Sequence, residues 1–340
     1  MKGAVHLIVG FGVSAVLVLL LVRSLEPSSL REALASADWR LVAPAVALYF
    51  VGAWLRSARW GLLLPEQAVS TPILFRALVV GFTVNNLLPV RMGEVARAYL
   101  LSRWCRVPYG ATLASLVVER ILDGLSLALL LLLSLRFVSA PGYLVAASGV
   151  VALGFGAGAL GLVLAAWRAS LIVPVAERVL APLPARVRSP MMALAASFAR
   201  GLSLVRGRGR LLRLLGLSLL AWCIELSLFL VLMPSFGIGA SVPLAFLVGS
   251  AANFATLMPS APAYVGTFDG AVIAVLRDTA GIAAGPAWAY AIVVHATLFL
   301  PVVVVGTLVL WRAHMRLDQI THVPERDPAA AAREEWQAAA

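Results

Sequence analysis

Four ionisable side chains stand inside runs that are otherwise apolar. The segment "ATLASLVVERILDGLSLALL" (111–130) carries Glu119, Arg120 and Asp123, and "LLAWCIELSLFL" carries Glu225. On a helix Glu119 and Asp123, four apart, share a face with Ser115 and Ser126, while Arg120 points about 100° away. A charge at the centre of a bilayer-spanning helix costs about 2.5–3.5 kcal/mol on the insertion scale, so these four would cost about 10–14 kcal/mol if they faced lipid. Partners or water must remove most of that. Two readings follow: a buried ion-pair network that fixes helix register, or a polar route for a charged head group or a proton.

A second group lies just upstream. "VGFTVNNLLPVRMGEVARAYLL" (80–101) begins as a membrane segment, then meets Asn85, Asn86 and Pro89, and then Arg91, Glu94 and Arg97. Arg91 and Arg97 are expected to face Glu119 and Asp123, and Arg120 to meet Glu94. Asparagine before proline also ends helices by satisfying their last carbonyls, so Asn85 and Asn86 are read equally as turn formers and as substrate contacts. Glu225 pairs with Arg56 or Arg59, or lines the same route. Arg56 and Arg59, in "AWLRSARW", read as interface anchors beside Trp54 and Trp60. Tyr264 and Trp288 read as interfacial aromatics, and Asp269 as a helix-terminus residue or a substrate contact.

The elements that must position these groups follow from composition. The chain has 340 residues, of which 61% are apolar and 13% charged. Soluble domains carry about 25% charged residues, so this is an all-α polytopic membrane protein. The net charge of +11 does not signal nucleic-acid binding, because the basic residues fall in short loops beside apolar runs. Cys105 and Cys223 form no disulfide framework. His6, His295, His314 and His322 are scattered, and no CxxC, HExxH, GxSxG or P-loop pattern occurs. "GFGAGALG" (154–161) lies in an apolar run, where small residues serve helix packing. No cofactor, metal or catalytic residue is expected.

Full spans are expected at about 4–22, 41–62, 110–135, 142–166, 211–233 and 286–311. The first is read as a helix and not a signal peptide, since no small-x-small cleavage site follows. Two apolar segments, 72–88 and 243–258, are too short or interrupted to span, and each ends in a Pro-containing break before a second amphipathic piece. They read as re-entrant hairpins, which survive at membrane depth only when buried in protein or lining a wet cavity. The basic connection 168–210 carries Met191, Leu194, Phe198, Leu202 and Val205 at helical spacing, which suggests an amphipathic helix. The membrane unit is 1–317, and 318–340 is expected to be a disordered tail.

With both termini cytoplasmic and both hairpins re-entrant, twenty of the 27 basic residues lie inside and five outside. That bias supports the arrangement, in a bacterial-type inner membrane. The second break, "VGSAANFATLMPSAPAYVGTFDG" (248–270), aligns with the first: Val80-Gly81 with Val248-Gly249, Asn85 with Asn253, Pro89 with Pro259, and Gly93 with Gly266. One span between the two units (41–135 and 211–311) would invert the second. Inverted repeats with broken helices at the midplane are a transporter architecture.

"NNLLPVRMGEVARAYLL", "ASLVVERILDGL" and "MPSAPAYVGTFDGA" resemble the signature blocks of the flippase-like integral membrane family, which includes the transmembrane domain of lysylphosphatidylglycerol synthetases. The resemblance runs over about 5–315. It implies a lipid translocator, and the possibility of a stand-alone member of the hopanoid-biosynthesis-associated type. It implies site roles for Asn85, Asn86, Arg91, Glu94, Arg97, Glu119, Arg120 and Asp123, shaped by Pro89 and Gly93, with Pro259, Gly266 and Asp269 as the facing hairpin. No aminoacyltransferase domain follows in this sequence, so transport without synthesis, and no enzyme activity, is the expectation. The expected partners are a membrane lipid substrate, a lipid-synthesis enzyme and a second copy of the chain. Two alternatives stay open: a non-transporting partner of a lipid or lipid-linked-glycan synthesis complex, and a translocator of polyprenyl-phosphate-linked substrates. A membrane transferase or hydrolase would want a DDxxD pair or a His-Asp dyad in one loop, and neither is visible.

Overall fold

The computed structural model describes residue 19 and residues 27–64, 69–88, 92–185, 188–189, 191–192, 195–196, 199, 208–258 and 260–315. The regular structure among these residues is all helical, with no strand. In chain order the helices are α1 (Pro27–Ala35), α2 (Val42–Leu63), α3 (Thr71–Leu87), α4 (Gly93–Cys105), α5 (Tyr109–Ser134), α6 (Gly142–Trp167), α7 (Ala169–Leu180), α8 (Arg208–Leu232), α9 (Val242–Ala255), α10 (Thr267–Ala280) and α11 (Ala284–Arg312). Short 3-10 turns lie at Trp39–Leu41, Met233–Phe236 and Pro262–Tyr264. Four helical stretches, Trp39–Leu63, Gly142–Gly161, Gly209–Phe236 and Ala284–Arg312, are long and apolar enough to cross a membrane. Helix α5 has 26 residues and carries Glu119, Arg120 and Asp123 in its middle.

Apart from Leu19, the expected span 4–22 falls outside the described residues, as does the tail 318–340. So do Pro89, Arg91 and Pro259, and Leu194, Phe198, Leu202 and Val205 of the connection.

Local chemistry sets the helix ends. Pro72 and Pro243 occupy the first turns of α3 and α9, where no N–H is needed. The Ser241 hydroxyl caps α9 by accepting from the Leu244 N–H at 3.4 Å. Helix α10 begins at Gly266, whose φ of +88° suits glycine, and ends at Gly281 at φ +64°. The Asp269 carboxylate reaches back to accept from the Gly266 N–H at 3.0 Å.

Packing follows a repeated pattern. Helix α2 lies against α8, α3 against α11, and α5 against α9. Within each half, the short helices pair with each other, α3 with α4 and α9 with α10. Small residues permit the close approaches. A Cβ on Gly93 would come within 2.2 Å of the Gly81 carbonyl oxygen and 2.6 Å of the Asn85 amide. A Cβ on Gly306 would come within 2.0 Å of the Thr83 hydroxyl, which itself donates to the Val302 carbonyl of α11 at 2.9 Å.

Two apolar clusters form the core. One gathers Tyr49, Val79, Trp222, Phe229, Phe268 and Tyr290; the other gathers Trp60, Leu74, Val80, Leu100, Leu116 and Leu214. Along α2, Arg56 and Arg59 fall between Tyr49 of the first cluster and Trp60 of the second. Trp288, expected at an interface, is 8% exposed in the first cluster. Its position on the inward side of α11, with Ala287 and Ala291 also buried, takes it into the core.

Candidate polar cavity and its buried charges

The charges inside the apolar runs are paired, and the three acids among them are buried. Arg97 on α4 grips Glu119 through two parallel hydrogen bonds, 2.8 Å and 2.9 Å. This fork-to-carboxylate geometry is the strong form of the contact. Arg59 on α2 is fully buried; it donates to Asp123 at 2.5 Å and to the Ser218 hydroxyl at 2.7 Å. Its other nitrogen lies 3.9 Å from Glu119, so α2, α4 and α5 share one chain of alternating charge. Arg56 lies 2.7 Å from Glu225 of α8. Arg120 points away from these, as its helical angle requires, and bonds Glu94 at a half-exposed site.

Tryptophans complete the arrangement. The Arg56 guanidinium lies 3.9 Å over the Trp222 ring, and Arg97 lies 4.0 Å over Trp60. The indole N–H groups then serve the same network: Trp222 donates to Asp123 at 3.0 Å, and Trp60 to the Ser115 hydroxyl at 2.9 Å. The arginine faces lie on indole rings while their edges meet acids, which suits a charge held in low dielectric.

Two expectations change here. Asp123 was expected to pair with Arg91 or Arg97, but its cation is Arg59. Arg56 and Arg59 were expected to anchor a helix at the interface, but they are 7% and 0% exposed. The reason is helical phase: Arg56, Arg59 and Trp60 lie on the side of α2 that meets α5 and α8, where they reach Glu225, Asp123 and Ser115. The other expectation for these arginines, that Glu225 pairs with Arg56 or Arg59, agrees with the Arg56–Glu225 contact.

A polar cavity of about 430 Å³ lies beside this network. Its wall includes Arg56, Asn85, Asn86, Arg120, Asp123 and Glu225, with Asn253 and Tyr264 from the second broken pair. Glu119, Arg97 and Arg59 stand behind that wall. Asn85 accepts from the Gly93 N–H at 2.7 Å, so it fixes the start of α4 instead of closing α3. A second, apolar cavity of about 990 Å³ runs along α5, α6 and α7 and is lined by Leu116, Leu171, Val175 and Val179. Arg120 belongs to the walls of both cavities.

The sequence reading missed His295. It lies on the polar cavity wall, with Nδ1 2.7 Å from Asp269 and Nε2 2.8 Å from the Ala263 carbonyl oxygen. Asp269 therefore closes a helix start and meets a histidine. Tyr264, expected at an interface, also lines this wall. Ala263 and Tyr264 both take the left-handed conformation, φ +59° and +62°, each at about 1–3 kcal/mol. A histidine facing an aspartate 26 positions earlier gives no local spacing to detect. Among the described residues, no group of three or more His, Cys, Asp or Glu could hold a metal ion, and Cys105 and Cys223 are free thiols.

Comparison with known proteins places this architecture. A family described as lysylphosphatidylglycerol synthase TM region matches residues 7–306. A protein of Haloferax volcanii named glycosyltransferase AglD is 26% identical over 323 residues, 86% of this chain and 52% of that protein. A UPF0104 membrane protein of Methanothermobacter thermautotrophicus is 33% identical over 128 residues, 36% of each chain. Another match to a UPF0104 membrane protein of that organism is 28% identical over 280 residues, 76% of this chain and 79% of the relative. The chain thus spans about half the length of the first relative and about a third of the second. No solved structure gives a significant match. Matched over nearly its whole length, the chain belongs to the lysylphosphatidylglycerol synthase transmembrane-region family.

Proposed function

We propose that this protein moves a polar or charged lipid head group between membrane leaflets. The observation that carries the reading is the shared wall at Arg120. A polar cavity of head-group scale meets an apolar cavity that suits acyl chains. The head group enters the polar cavity and the tails stay in the apolar one. Arg120 and Arg56 meet the lipid phosphate, for which the planar guanidinium is well matched. Glu94, Glu225 and Asp123 balance those arginines when the cavity is empty. Arg97, Glu119 and Arg59 hold the wall in place from behind.

The same reading takes α3–α4 and α9–α10 as re-entrant hairpins of an inverted repeat. Helix α3 is about 26 Å long at 1.5 Å per residue, and α4, α9 and α10 are nearer 20 Å, against a hydrocarbon core of about 30 Å. The pairing of α3 with α11 mirrors that of α9 with α5, as a two-fold relation between the halves requires. Such sites sit where the broken helices meet.

The test is reconstitution into liposomes with fluorescent phosphatidylglycerol and phosphatidylethanolamine, read by quenching the outer leaflet. Wild-type protein should speed exchange between leaflets, and Arg120→Gln should slow it at least tenfold while the protein remains folded. Wild-type rates in a folded Arg120→Gln protein would end this reading. A second reading is favoured by the similarity to the relative named a glycosyltransferase: the cargo is a polyprenyl-phosphate-linked sugar. A labelled polyprenyl-phosphate sugar in the same assay separates the two.

A further inference from the structure

His295 stands on α11, an apolar helix whose one charged residue is Arg312 in its last turn. Its ring lines the polar cavity, between Phe268 and Phe299. The Ala263 carbonyl oxygen, 2.8 Å from Nε2, can only accept, so Nε2 carries a hydrogen. Nδ1 faces Asp269 Oδ1 at 2.7 Å, and a second hydrogen must lie between them, on the ring or on the acid. Either way, the pair holds one proton more than a neutral imidazole beside a carboxylate. The other oxygen of Asp269 is occupied by the Gly266 N–H.

The carbonyl on the far side belongs to the left-handed pair Ala263–Tyr264. The bond from His295 joins that pair to α11. We infer that His295 and Asp269 form a proton-binding site that latches the Pro262–Tyr264 turn against α11, so that releasing the proton frees one wall of the polar cavity. This rests on the translocation reading and adds a driving force to it: a proton difference across the membrane.

The steps balance simply. The extra proton leaves to water, and the ring keeps one N–H. A carboxylate binds that N–H more strongly than a neutral carbonyl does. Nε2 then turns a lone pair toward the oxygen of Ala263, and the contact becomes repulsive. The turn leaves its left-handed conformation, and Ala263 and Tyr264, both on the cavity wall, move with it. Protonation reverses the sequence.

Other titratable groups face the same space. Helix α2 brings Tyr49 and Arg56, α5 brings Arg120 and Asp123, α8 brings Glu225, and the turn brings Tyr264. Arg56, Arg120, Asp123 and Glu225 are each engaged in the ion pairs described above. Helix α3 presents the uncharged Asn85 and Asn86. Further along α10, Arg277 and Asp278 lie toward its end. Asp269 is the acid in direct contact with His295.

Two measurements on the full chain test this. Amide exchange of 260–266 in nanodiscs, corrected for intrinsic rates, should rise at least fivefold between pH 5 and pH 9.5. In His295→Gln, whose amide still donates to Ala263 but does not titrate, it should be flat; Asp269→Asn serves if that variant fails to insert. Transfer of fluorescent phosphatidylglycerol in liposomes should respond to an imposed pH gradient in wild type and ignore it in the variant. Flat exchange in the wild-type protein overturns the proton site. Lipid movement indifferent to the gradient overturns the coupling and leaves translocation standing. Exchange that follows pH in a protein that moves no labelled lipid overturns translocation and leaves the proton site standing.

Discussion

Replacing Arg59 by methionine tests whether the buried charges act as one network. The side chain is 0% exposed and donates to both Asp123 and Ser218. Methionine fills a similar length but removes the cation. Asp123 then keeps the Trp222 N–H at 3.0 Å and, among the described residues, no ion pair within 4 Å, and Glu119 keeps Arg97. Breaking one partner out of a buried pair costs about 3–5 kcal/mol, because an uncompensated charge remains. At 1.4 kcal/mol per factor of ten, the unfolding constant should rise by about 10²–10⁴. Asp123→Leu alone should cost a similar amount by stranding Arg59. The pair together, Arg59→Met with Asp123→Leu, removes both charges and should recover at least about 2 kcal/mol of the summed loss. Arg59→Lys should fall between, since an ammonium keeps the cation but lacks the second terminal nitrogen that lies 3.9 Å from Glu119. Equilibrium unfolding of the four proteins in mixed micelles or bicelles gives the cycle. The reasoning fails if the single variants lose less than about 1 kcal/mol, or if their losses simply add in the double variant.

Two further outcomes follow from the α3–α4 contact. Gly93→Ala should abolish the folded protein or lower its yield severely, since the new methyl would meet backbone oxygen at 2.2 Å, whereas Gly158→Ala, with open space around it, should be neutral by thermal melting. Asn85→Ala should cost about 1 kcal/mol by leaving the Gly93 N–H without its acceptor, in the range of lost helix caps, and a melt unchanged from wild type would contradict that role.

Helix placement was legible because apolar runs and their proline or glycine ends are local signals. The run expected at 41–62 is α2 at Val42–Leu63, and that at 286–311 is α11 at Ala284–Arg312. The pairing of Arg120 with Glu94 was legible as well, because Arg120 turns away from Glu119 by helical geometry alone. The choice of Arg59 as the partner of Asp123 was not. It depends on the packing of α2 against α5 and α8, which no local spacing encodes. Arg56 and Arg59 look the same at an interface and in a core, since tryptophans flank arginines in both settings. His295 was hidden for a related reason. A single histidine in an apolar run becomes informative only once Asp269 is known to face it.

The span of these contacts in sequence bears on how the chain is made. Arg59 meets Ser218 across 159 positions, and Asp123 across 64. At about 5–20 residues per second, Ser218 is synthesised on the order of 10–30 s after Arg59. Glu225, the partner of Arg56, comes later still. Asp123 follows Arg59 by only about 3–13 s, so α2 carries both arginines without their acids for that shorter time and Arg56 without its acid for the longer one, at a depth where bare cations are costly. The helix must therefore wait beside the insertion machinery, or at the bilayer edge with its arginines reaching for water, until α5 and α8 arrive. Assembly of this protein is then a matter of timing, and slowing synthesis between α2 and α8 should lengthen the exposed interval and raise its degradation.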